Sequence, residues 1–259
     1  MTAVTRPFLD SLFGLTGRRA VVTGGSSGIG LAMAEALGRA GAPVCLVARD
    51  ASRLARAAAR LTNAGVDAST ASCDMADAGA VAAFAARAAD GAFDILVAAA
   101  GVNPRPDMAD ITGQEYAATM QVNVHAPFAL AQALAPGMAA RGWGRIILIG
   151  SQQSWSAFGR SGAYGVSKAA VGGLTRSLAE RWSPHGVTVN CVVPGFVSTP
   201  MTRTVFDDPA RARAMAARTM TGRNGEPADL AGVAVFLASG AGAYVTGQMI
   251  AVDGGFSVH

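Results

Sequence analysis

A tyrosine and a lysine four residues apart carry the main chemical signal of this sequence. Tyr164 and Lys168 stand in the segment Ser-Gly-Ala-Tyr-Gly-Val-Ser-Lys, and on a helix this spacing places both side chains on one face. A neighbouring ammonium favours the phenolate, so we expect Lys168 to lower the pKa of Tyr164 from its usual value of about 10. Such a pair can act as a general acid or base. The same spacing also occurs on ordinary helix faces.

Two further polar residues extend this candidate catalytic group. Ser151 directly follows an apolar run that reads as a strand, and open α/β sheets bind ligands at the carboxyl ends of their strands. Its hydroxyl can hold a substrate oxygen. Asn123 lies among apolar neighbours inside a long helical pattern, where its amide needs solvent or a buried partner. A kinked helix with a bound water would supply one.

A glycine-rich turn with the spacing GxxxGxG joins the first predicted strand to a helix. Its glycines allow a tight turn and a close approach of the backbone to a pyrophosphate, and the helix N-terminus adds free N–H groups. Glycine clusters also form purely structural turns, but the position between strand and helix favours nucleotide binding. The residues of this predicted site are Thr23, Gly24, Ser26, Ser27, Gly28, Ile29 and Gly30.

The end of the second predicted strand bears on the choice of cofactor. An acidic side chain there would bind the ribose 2′-hydroxyl, whereas a basic one would accept a 2′-phosphate. This chain has Ala48 followed by Arg49, so we predict a preference for NADP(H), with NAD(H) still usable. A solvated Arg49 is the alternative. Asp74, just after the third strand, is either a contact for the adenine edge or a turn residue.

The elements that must position these residues alternate along the chain. Short apolar or β-branched runs predict strands at 19–23, 43–48, 68–73, 94–98, 144–150, 187–193 and 248–252. Ala-rich segments predict helices at 28–40, 51–63, 78–89, 113–140, 163–182, 209–220 and 227–238. This alternation is typical of βαβ units. We therefore predict an α/β fold: one doubly wound Rossmann domain over residues 1–259, with a seven-stranded parallel sheet and helices on both faces.

The composition limits the classes of protein that fit. Hydrophobic residues make up 51% and charged residues 15%, which excludes disorder and suggests burial against other subunits. The net charge of +4 comes from dispersed basic residues, so no nucleic-acid partner is expected. Cys45, Cys73 and Cys191 are predicted to be reduced core residues, and the scattered histidines indicate no metal site. Without a long apolar segment, we expect a cytoplasmic protein and no membrane partner.

Taken together, these motifs resemble the short-chain dehydrogenase/reductase (SDR) family from about residue 15 to residue 258. The resemblance rests on the glycine turn, the tetrad Asn123, Ser151, Tyr164 and Lys168, the Pro194-Gly195 turn with Thr199, and Asp253-Gly254-Gly255 near the end. It implies an NAD(P)-dependent enzyme in which Tyr164 exchanges a proton with the carbonyl oxygen and Ser151 orients that oxygen. It also implies that Lys168 holds the nicotinamide ribose and that Asn123 fixes a water behind Lys168.

The resemblance implies further contacts. Ala100, Gly101, Pro194, Gly195, Val197 and Thr199 would border the cofactor. Substrate contacts are predicted from residues Asn103, Gln152, Gln153, Trp155, Phe158 and Phe196. One departure is that Ala98-Ala99 replaces the Asn-Asn usual in the family, which puts local stability or cofactor positioning in doubt.

The sequence leaves several functions open, two of them within this family and one from another class of protein. The chain looks most like members that act on sugar acids, polyols and small cyclic ketones, such as gluconate 5-dehydrogenase-like proteins. A 3-oxoacyl carrier-protein reductase is the alternative, for which Arg141, Arg145, Arg176 and Arg181 would form a basic surface for an acidic carrier, although solvated charges at helix ends explain these arginines more simply. A catalytically inactive dinucleotide-binding module is the alternative from another class. We also expect a homotetramer, in which Ala169, Gly172, Gly173 and Leu174 form a small apolar helix face.

Overall fold

A seven-stranded parallel sheet forms the centre of the molecule. The computed structural model describes residues 6–259, and for Arg6 only the backbone. The strands are β1 (Ala20–Thr23), β2 (Val44–Ala48), β3 (Ala68–Ser72), β4 (Ile95–Ala98), β5 (Gly144–Ile149), β6 (Val187–Pro194) and β7 (Met249–Val252). Each begins and ends within one residue of its predicted bounds. β-branched and leucine side chains occupy most of these positions, which suits strands that are covered on both faces.

The strand order places a ligand-binding crevice at the middle of the sheet. The order is β3-β2-β1-β4-β5-β6-β7, with all neighbours parallel. The chain reverses its direction of winding between β1 and β4, where Thr23 lies opposite Ala98. Loops leaving the carboxyl ends of two such strands diverge, so a cleft opens between them. The predicted doubly wound fold is confirmed.

Helices cover both faces of the sheet. They are α1 (Arg6–Phe13), α2 (Gly28–Arg39), α3 (Ala51–Asn63), α4 (Ala78–Asp90), α5 (Gly113–Met120), α6 (Ala126–Ala140), α7 (Gly162–Trp182), α8 (Arg203–Phe206), α9 (Pro209–Ala216) and α10 (Ala231–Ala238). Helices α4, α6 and α7 bury apolar side chains on one face. Helices α2, α3 and α10 do so on the other face. None of the helices in residues 6–259 is both long and apolar enough to cross a membrane.

The helices differ from the prediction at five places. The segment 113–140 is not one regular helix, because a π-helical turn at Gln121–His125 separates α5 from α6. The helix predicted at 209–220 ends at Ala216, and the one predicted at 227–238 begins as a 3₁₀ turn, Pro227–Leu230. The short helices α1 and α8 were not predicted, since neither is long enough to show a clear apolar period.

The three cysteines are unpaired, as predicted. Cys73 and Cys191 are buried and Cys45 is half-buried. Burial raises the pKa of each thiol, and that of Cys191 to about 11. They therefore remain protonated and act as small apolar side chains.

Candidate active site

A cavity of about 310 Å³ opens at the carboxyl edge of the sheet. It is bordered by the glycine turn, the ends of β4 and β5, the start of α7 and the loop after β6. Its lining includes predicted residues Gly24, Ser26, Ser27, Gly28, Ile29, Gly30, Ala100, Gly101, Ser151, Tyr164, Lys168, Pro194, Gly195, Val197 and Thr199. Tertiary structure thus brings together side chains that lie far apart in the sequence.

The glycine turn has the geometry that an extended phosphate ligand requires. Gly24 and Gly28 have φ angles of +67° and +56°, which disfavour any residue with a side chain. A Cβ on Gly24 would lie 2.8 Å from the backbone nitrogen of Ala100. Ser27 precedes α2 without capping it through its side chain, so the first N–H groups of the helix stay free. This turn therefore fits a pyrophosphate.

The sequence predicts that Thr23 contacts the nucleotide, but the structure places it elsewhere. It does not border the cavity. Its hydroxyl instead accepts a hydrogen bond from the backbone N–H of Ala100 at 3.2 Å, and it is almost fully buried. This hydrogen bond therefore links β1 to the loop that follows β4. Thr23 stabilises the glycine turn without bordering the cavity.

Ser151, Tyr164 and Lys168 border one side of the cavity. Ser151 follows β5 with an extended backbone, while Tyr164 and Lys168 lie on the first turns of α7. The Lys168 ammonium is 5.5 Å from the centre of the Tyr164 ring and donates to the carbonyl of Ile149 at 2.7 Å. Burial lowers the pKa of Lys168 to about 8. The predicted face of α7 is thus present.

The acidity of Tyr164 differs from the prediction. Burial raises the pKa of its phenol, and the hydrogen bond with Ser151 and the positive charge of Arg105 only partly oppose this. The expectation that Lys168 lowers this pKa is wrong in this structure, because loss of hydration dominates and the ammonium is engaged by Ile149. Tyr164 is therefore held as the neutral phenol, which is the form that donates a proton.

Asn123 lies behind the cavity rather than in its wall. It sits in the π-helical turn and is 1% exposed. Its Oδ1 accepts from the N–H of Val102 at 2.9 Å, and its Nδ2 donates to the Val102 carbonyl and to Ser167 Oγ. A Cβ on Gly101 would lie 3.4 Å from Asn123 Oδ1 and 3.8 Å from Lys168 Nζ. The kink that sequence reasoning predicted at Asn123 is thus present.

Ser154 connects Ser151 with α7, and sequence reasoning missed it. Its hydroxyl accepts from the N–H of Ser151 at 3.2 Å and donates to the carbonyl of Lys168 at 2.8 Å. A serine three residues after a strand-end serine is the pattern of a capping turn, and this signal was available in the sequence. The contact fixes the strand end and the helix relative to each other.

The predicted substrate residues occupy several environments. Phe158 and Phe196 pack on each other with ring centres 5.3 Å apart, and Phe196 also packs on Phe256. They form a small core of their own and do not line the cavity described above. Trp155 is exposed, and Gln153 accepts a hydrogen bond from Ser161.

The amide oxygens of Asn103 and Gln152 are buried and have no hydrogen-bond partner within residues 6–259. A buried amide oxygen without a donor is costly to keep. These two side chains therefore remain candidates for contacts with substrate hydroxyls.

Of the four arginines of the predicted basic surface, Arg145 does not lie at the surface. Arg145 is 4% exposed and stacks on Trp143, and its guanidinium donates to backbone carbonyls. Arg141 pairs with the buried carboxylate of Asp94 at 3.1 Å. Arg141, Arg176 and Arg181 are exposed, and Arg181 contacts His185 and stacks on Trp182. The sequence pattern failed here because the arginine at 145 lies inside a strand that is buried on both faces.

Known proteins resemble this chain over nearly its whole length. Residues 24–257 match the family model described as enoyl-(acyl carrier protein) reductase. Gluconate 5-dehydrogenase of Gluconobacter oxydans is 40% identical over 249 residues, which cover 95% of this chain and 97% of the relative. Galactitol 2-dehydrogenase (L-tagatose-forming) of Cereibacter sphaeroides is 40% identical over 252 residues, covering 96% and 98%.

The structural comparison agrees. The structure of a gluconate 5-dehydrogenase from Burkholderia cenocepacia J2315, in complex with NADP and tartrate, superposes with a TM-score of 0.91. The two sequences are 38% identical, and the match covers 96% of this chain and 99% of that one. The chain belongs to the short-chain dehydrogenase/reductase family. As an SDR enzyme it interconverts alcohols and ketones with NAD or NADP, so the inactive binding module no longer fits.

Two arginines of this SDR enzyme lie at the edges of the site and were not singled out from the sequence. Arg105, in the loop after β4, is close enough to Tyr164 for its charge to lower the pKa of the phenol. Arg53, on the first turn of α3, borders a second cavity next to the glycine turn, together with Arg49 and Asp74. The sequence holds twenty arginines, and nothing in their local pattern marks these two.

Proposed function

We propose that this protein interconverts a sugar acid and its keto form with NADP(H), using Ser151, Tyr164 and Lys168 at the reacting carbon. The observation that carries the substrate class is Arg105, an arginine without a salt bridge in residues 6–259 whose positive charge acts on the Tyr164 phenol. A guanidinium whose charge reaches the proton donor suits a substrate that bears a carboxylate near its carbonyl. The name of the relative from Gluconobacter oxydans, gluconate 5-dehydrogenase, supports a sugar acid, whereas galactitol, in the name of the relative from Cereibacter sphaeroides, is a polyol without a carboxylate.

Arg105 has features that a surface arginine does not need. Its φ is +58°, a left-handed conformation that is rare for residues with a side chain. It is half-buried, and it forms no salt bridge within the described part of the chain. Strained residues persist where the surrounding structure holds them, and they concentrate at functional sites. A half-buried cation without a salt bridge in residues 6–259, whose charge reaches the Tyr164 phenol, is a suitable anchor for an anionic substrate.

The catalytic roles follow from the geometry of the cavity and from the family. In the direction of reduction, Tyr164 donates its proton to the carbonyl oxygen, and Ser151 holds that oxygen with its hydroxyl. A bound nicotinamide supplies the hydride. The raised pKa of Tyr164 keeps the proton on the phenol at neutral pH, ready for transfer.

Lys168 and Asn123 return the proton to Tyr164. Lys168 would hold the ribose hydroxyls of a bound cofactor, and its lowered pKa makes it a proton donor near pH 8. Asn123 Oδ1 keeps one lone pair for a water, in the space that Gly101 leaves between it and the ammonium. Ala98-Ala99 places methyl groups where the family usually has amides. The neighbouring Ala100 N–H is bound by Thr23, which supports this loop without those amides.

The cofactor preference rests on the end of β2. Arg49 is exposed and lines the cavity of about 270 Å³ that continues from the glycine turn, and Ala48 leaves no carboxylate to repel a phosphate. The hydroxyls of Ser26 and Ser27 border both cavities. In the double variant Ala48→Asp/Arg49→Ala, the ratio of kcat/KM for NADP and NAD is expected to move toward NAD. A wild-type ratio that favours NAD would contradict the preference.

The substrate class is tested with matched acids and alcohols. We expect kcat/KM for D-gluconate to exceed that for D-glucitol, which has the same carbon chain without a carboxylate. Arg105→Met should remove most of this difference, roughly ten- to a hundredfold, by raising KM for the acid. Arg160→Met is the control, because Arg160 has the same left-handed backbone, at φ +59°, and is exposed. Equal use of acid and alcohol by the wild type would rule out the sugar-acid assignment.

We also propose that the protein forms a homotetramer and that it is located in the cytoplasm. Residues 1–259 of each subunit would form one domain. Ala169 is exposed and nothing would contact a side chain at Gly173, so this part of α7 is open for close helix packing. Gly172, in contrast, packs on Met249 of its own sheet. Exposed Phe128 on α6 extends the apolar surface. Light scattering should give about four times the chain mass of 26.0 kDa, and cell fractionation tests the location.

A further inference from the structure

The cavity at the end of β2 contains a second basic residue besides Arg49. It is bordered by Arg49, Asp50 and Arg53 and also by Asp74 and its neighbours. Arg49 forms no salt bridge within residues 6–259, whereas Arg53 lies 3.3 Å from Asp50. These four side chains are the charged groups that face the cavity.

We propose that Arg53, oriented by Asp50, binds the 2′-phosphate of NADP(H) together with Arg49. This inference rests on the proposed cofactor preference and assigns it to a second residue. The glycine turn has a serine, Ser27, where a second basic side chain would otherwise reach the phosphate. Arg53 supplies that charge from the first turn of α3.

The contacts of Asp50 explain why Arg53 points toward the cavity. Asp50 Oδ1 caps α3 by accepting from the backbone N–H of Arg53 at 2.9 Å, and it also accepts from Ser52 Oγ at 2.8 Å. With Oδ1 held in this way, Oδ2 pairs with Arg53 Nε. The Arg53 side chain is thereby drawn back over the start of its helix, instead of extending along the surface.

The remaining donors of Arg53 suit a phosphate. Nε is the guanidinium nitrogen that pairs with Asp50, and the guanidinium donates no hydrogen bond to another group within residues 6–259, so its terminal nitrogens can meet a ligand. A phosphate accepts paired hydrogen bonds from such a fork better than from a single point charge. The side chain is 62% exposed, so each contact is screened by water and the expected gain is moderate.

The test measures nucleotide binding without turnover. Isothermal titration calorimetry compares adenosine 2′,5′-bisphosphate with adenosine 5′-monophosphate, which differ only in the 2′-phosphate. We expect Arg53→Met to weaken binding of the bisphosphate about three- to tenfold and to leave the monophosphate within about twofold. The salt dependence of bisphosphate binding should also become less steep. Unchanged monophosphate affinity shows that the variant is folded.

Arg56→Met is the matched control. Arg56 lies on the same helix and is exposed, but it does not border the cavity, so this variant should bind both nucleotides like the wild type. If Arg53→Met binds the bisphosphate as well as Arg56→Met while Arg49→Met binds it weakly, the role of Arg53 is refuted and the cofactor preference stands. If the wild type does not distinguish the two nucleotides, the cofactor preference itself is refuted.

Discussion

Burial of Lys168 leads to a quantitative expectation for the pKa of its ammonium group. Its side chain is 5% exposed, and its ammonium donates to the carbonyl of Ile149. No carboxylate within residues 6–259 forms a salt bridge with it, so nothing offsets the loss of hydration. Burial lowers its pKa from 10.5 to about 8, which corresponds to about 3 kcal/mol against the charged form.

A single NMR signal can report this ionisation, because Lys168 is the only lysine of the chain. Protein grown with lysine labelled with ¹³C at the ε-carbon should show one resonance, whose chemical shift is followed between about pH 6 and pH 11. We expect a midpoint near pH 8. Lys168→Met removes the signal and thereby assigns it. A midpoint above about 9.5 would show that water reaches the ammonium and would refute the reasoning from burial.

The same ionisation affects stability with a definite sign. Between about pH 8 and pH 10.5 the unfolded chain keeps a proton at Lys168 that the folded chain has lost, so the free energy of unfolding rises with pH in this window. At pH 7 Lys168→Met should be the more stable protein by about 2 kcal/mol, since the cost of about 3 kcal/mol is relieved but the hydrogen bond to Ile149 is lost. Denaturant unfolding at pH 7 and pH 10.5 measures this, and the difference should shrink at the higher pH.

Other variants separate catalysis, nucleotide binding and acid stability. Tyr164→Phe should lower kcat at least about 100-fold and leave the Kd for NADPH within about twofold, because only the proton donor is removed; more than a tenth of the wild-type rate would contradict its role. Gly24→Ala should weaken NADPH binding in a fluorescence titration, since its Cβ would lie 2.8 Å from the Ala100 nitrogen. The two hydrogen bonds from Arg223 hold the pKa of Asp229 at about 2, against 3.8, so its contribution to stability is present above pH 3.8 and lost as the pH falls toward 2. Asp229→Asn should therefore cost up to about 1 kcal/mol in urea unfolding at pH 7, and nothing near pH 2.

The strands and the main helices follow from local sequence patterns. Runs such as Ile146 to Ile149 can be buried on both faces only in a covered parallel sheet, and a strand that enters a glycine turn before a helix marks the phosphate end. The π-helical turn at Asn123 escaped this reasoning, because one extra residue per turn hardly changes the apolar period. The polarity of Asn123 among apolar neighbours still indicated a kink there.

The sequence by itself determined the fold, the glycine turn and the order of Ser151, Tyr164 and Lys168, because each of these depends on residue types at short spacings. Tertiary structure decided which groups surround each functional side chain. It buried Arg145 within a strand, moved Phe158 and Phe196 into a separate cluster, and brought the charge of Arg105 within range of the Tyr164 phenol. It also reversed the expected shift of the Tyr164 pKa, since hydration and neighbouring charge depend on groups that are distant along the chain and close only after folding.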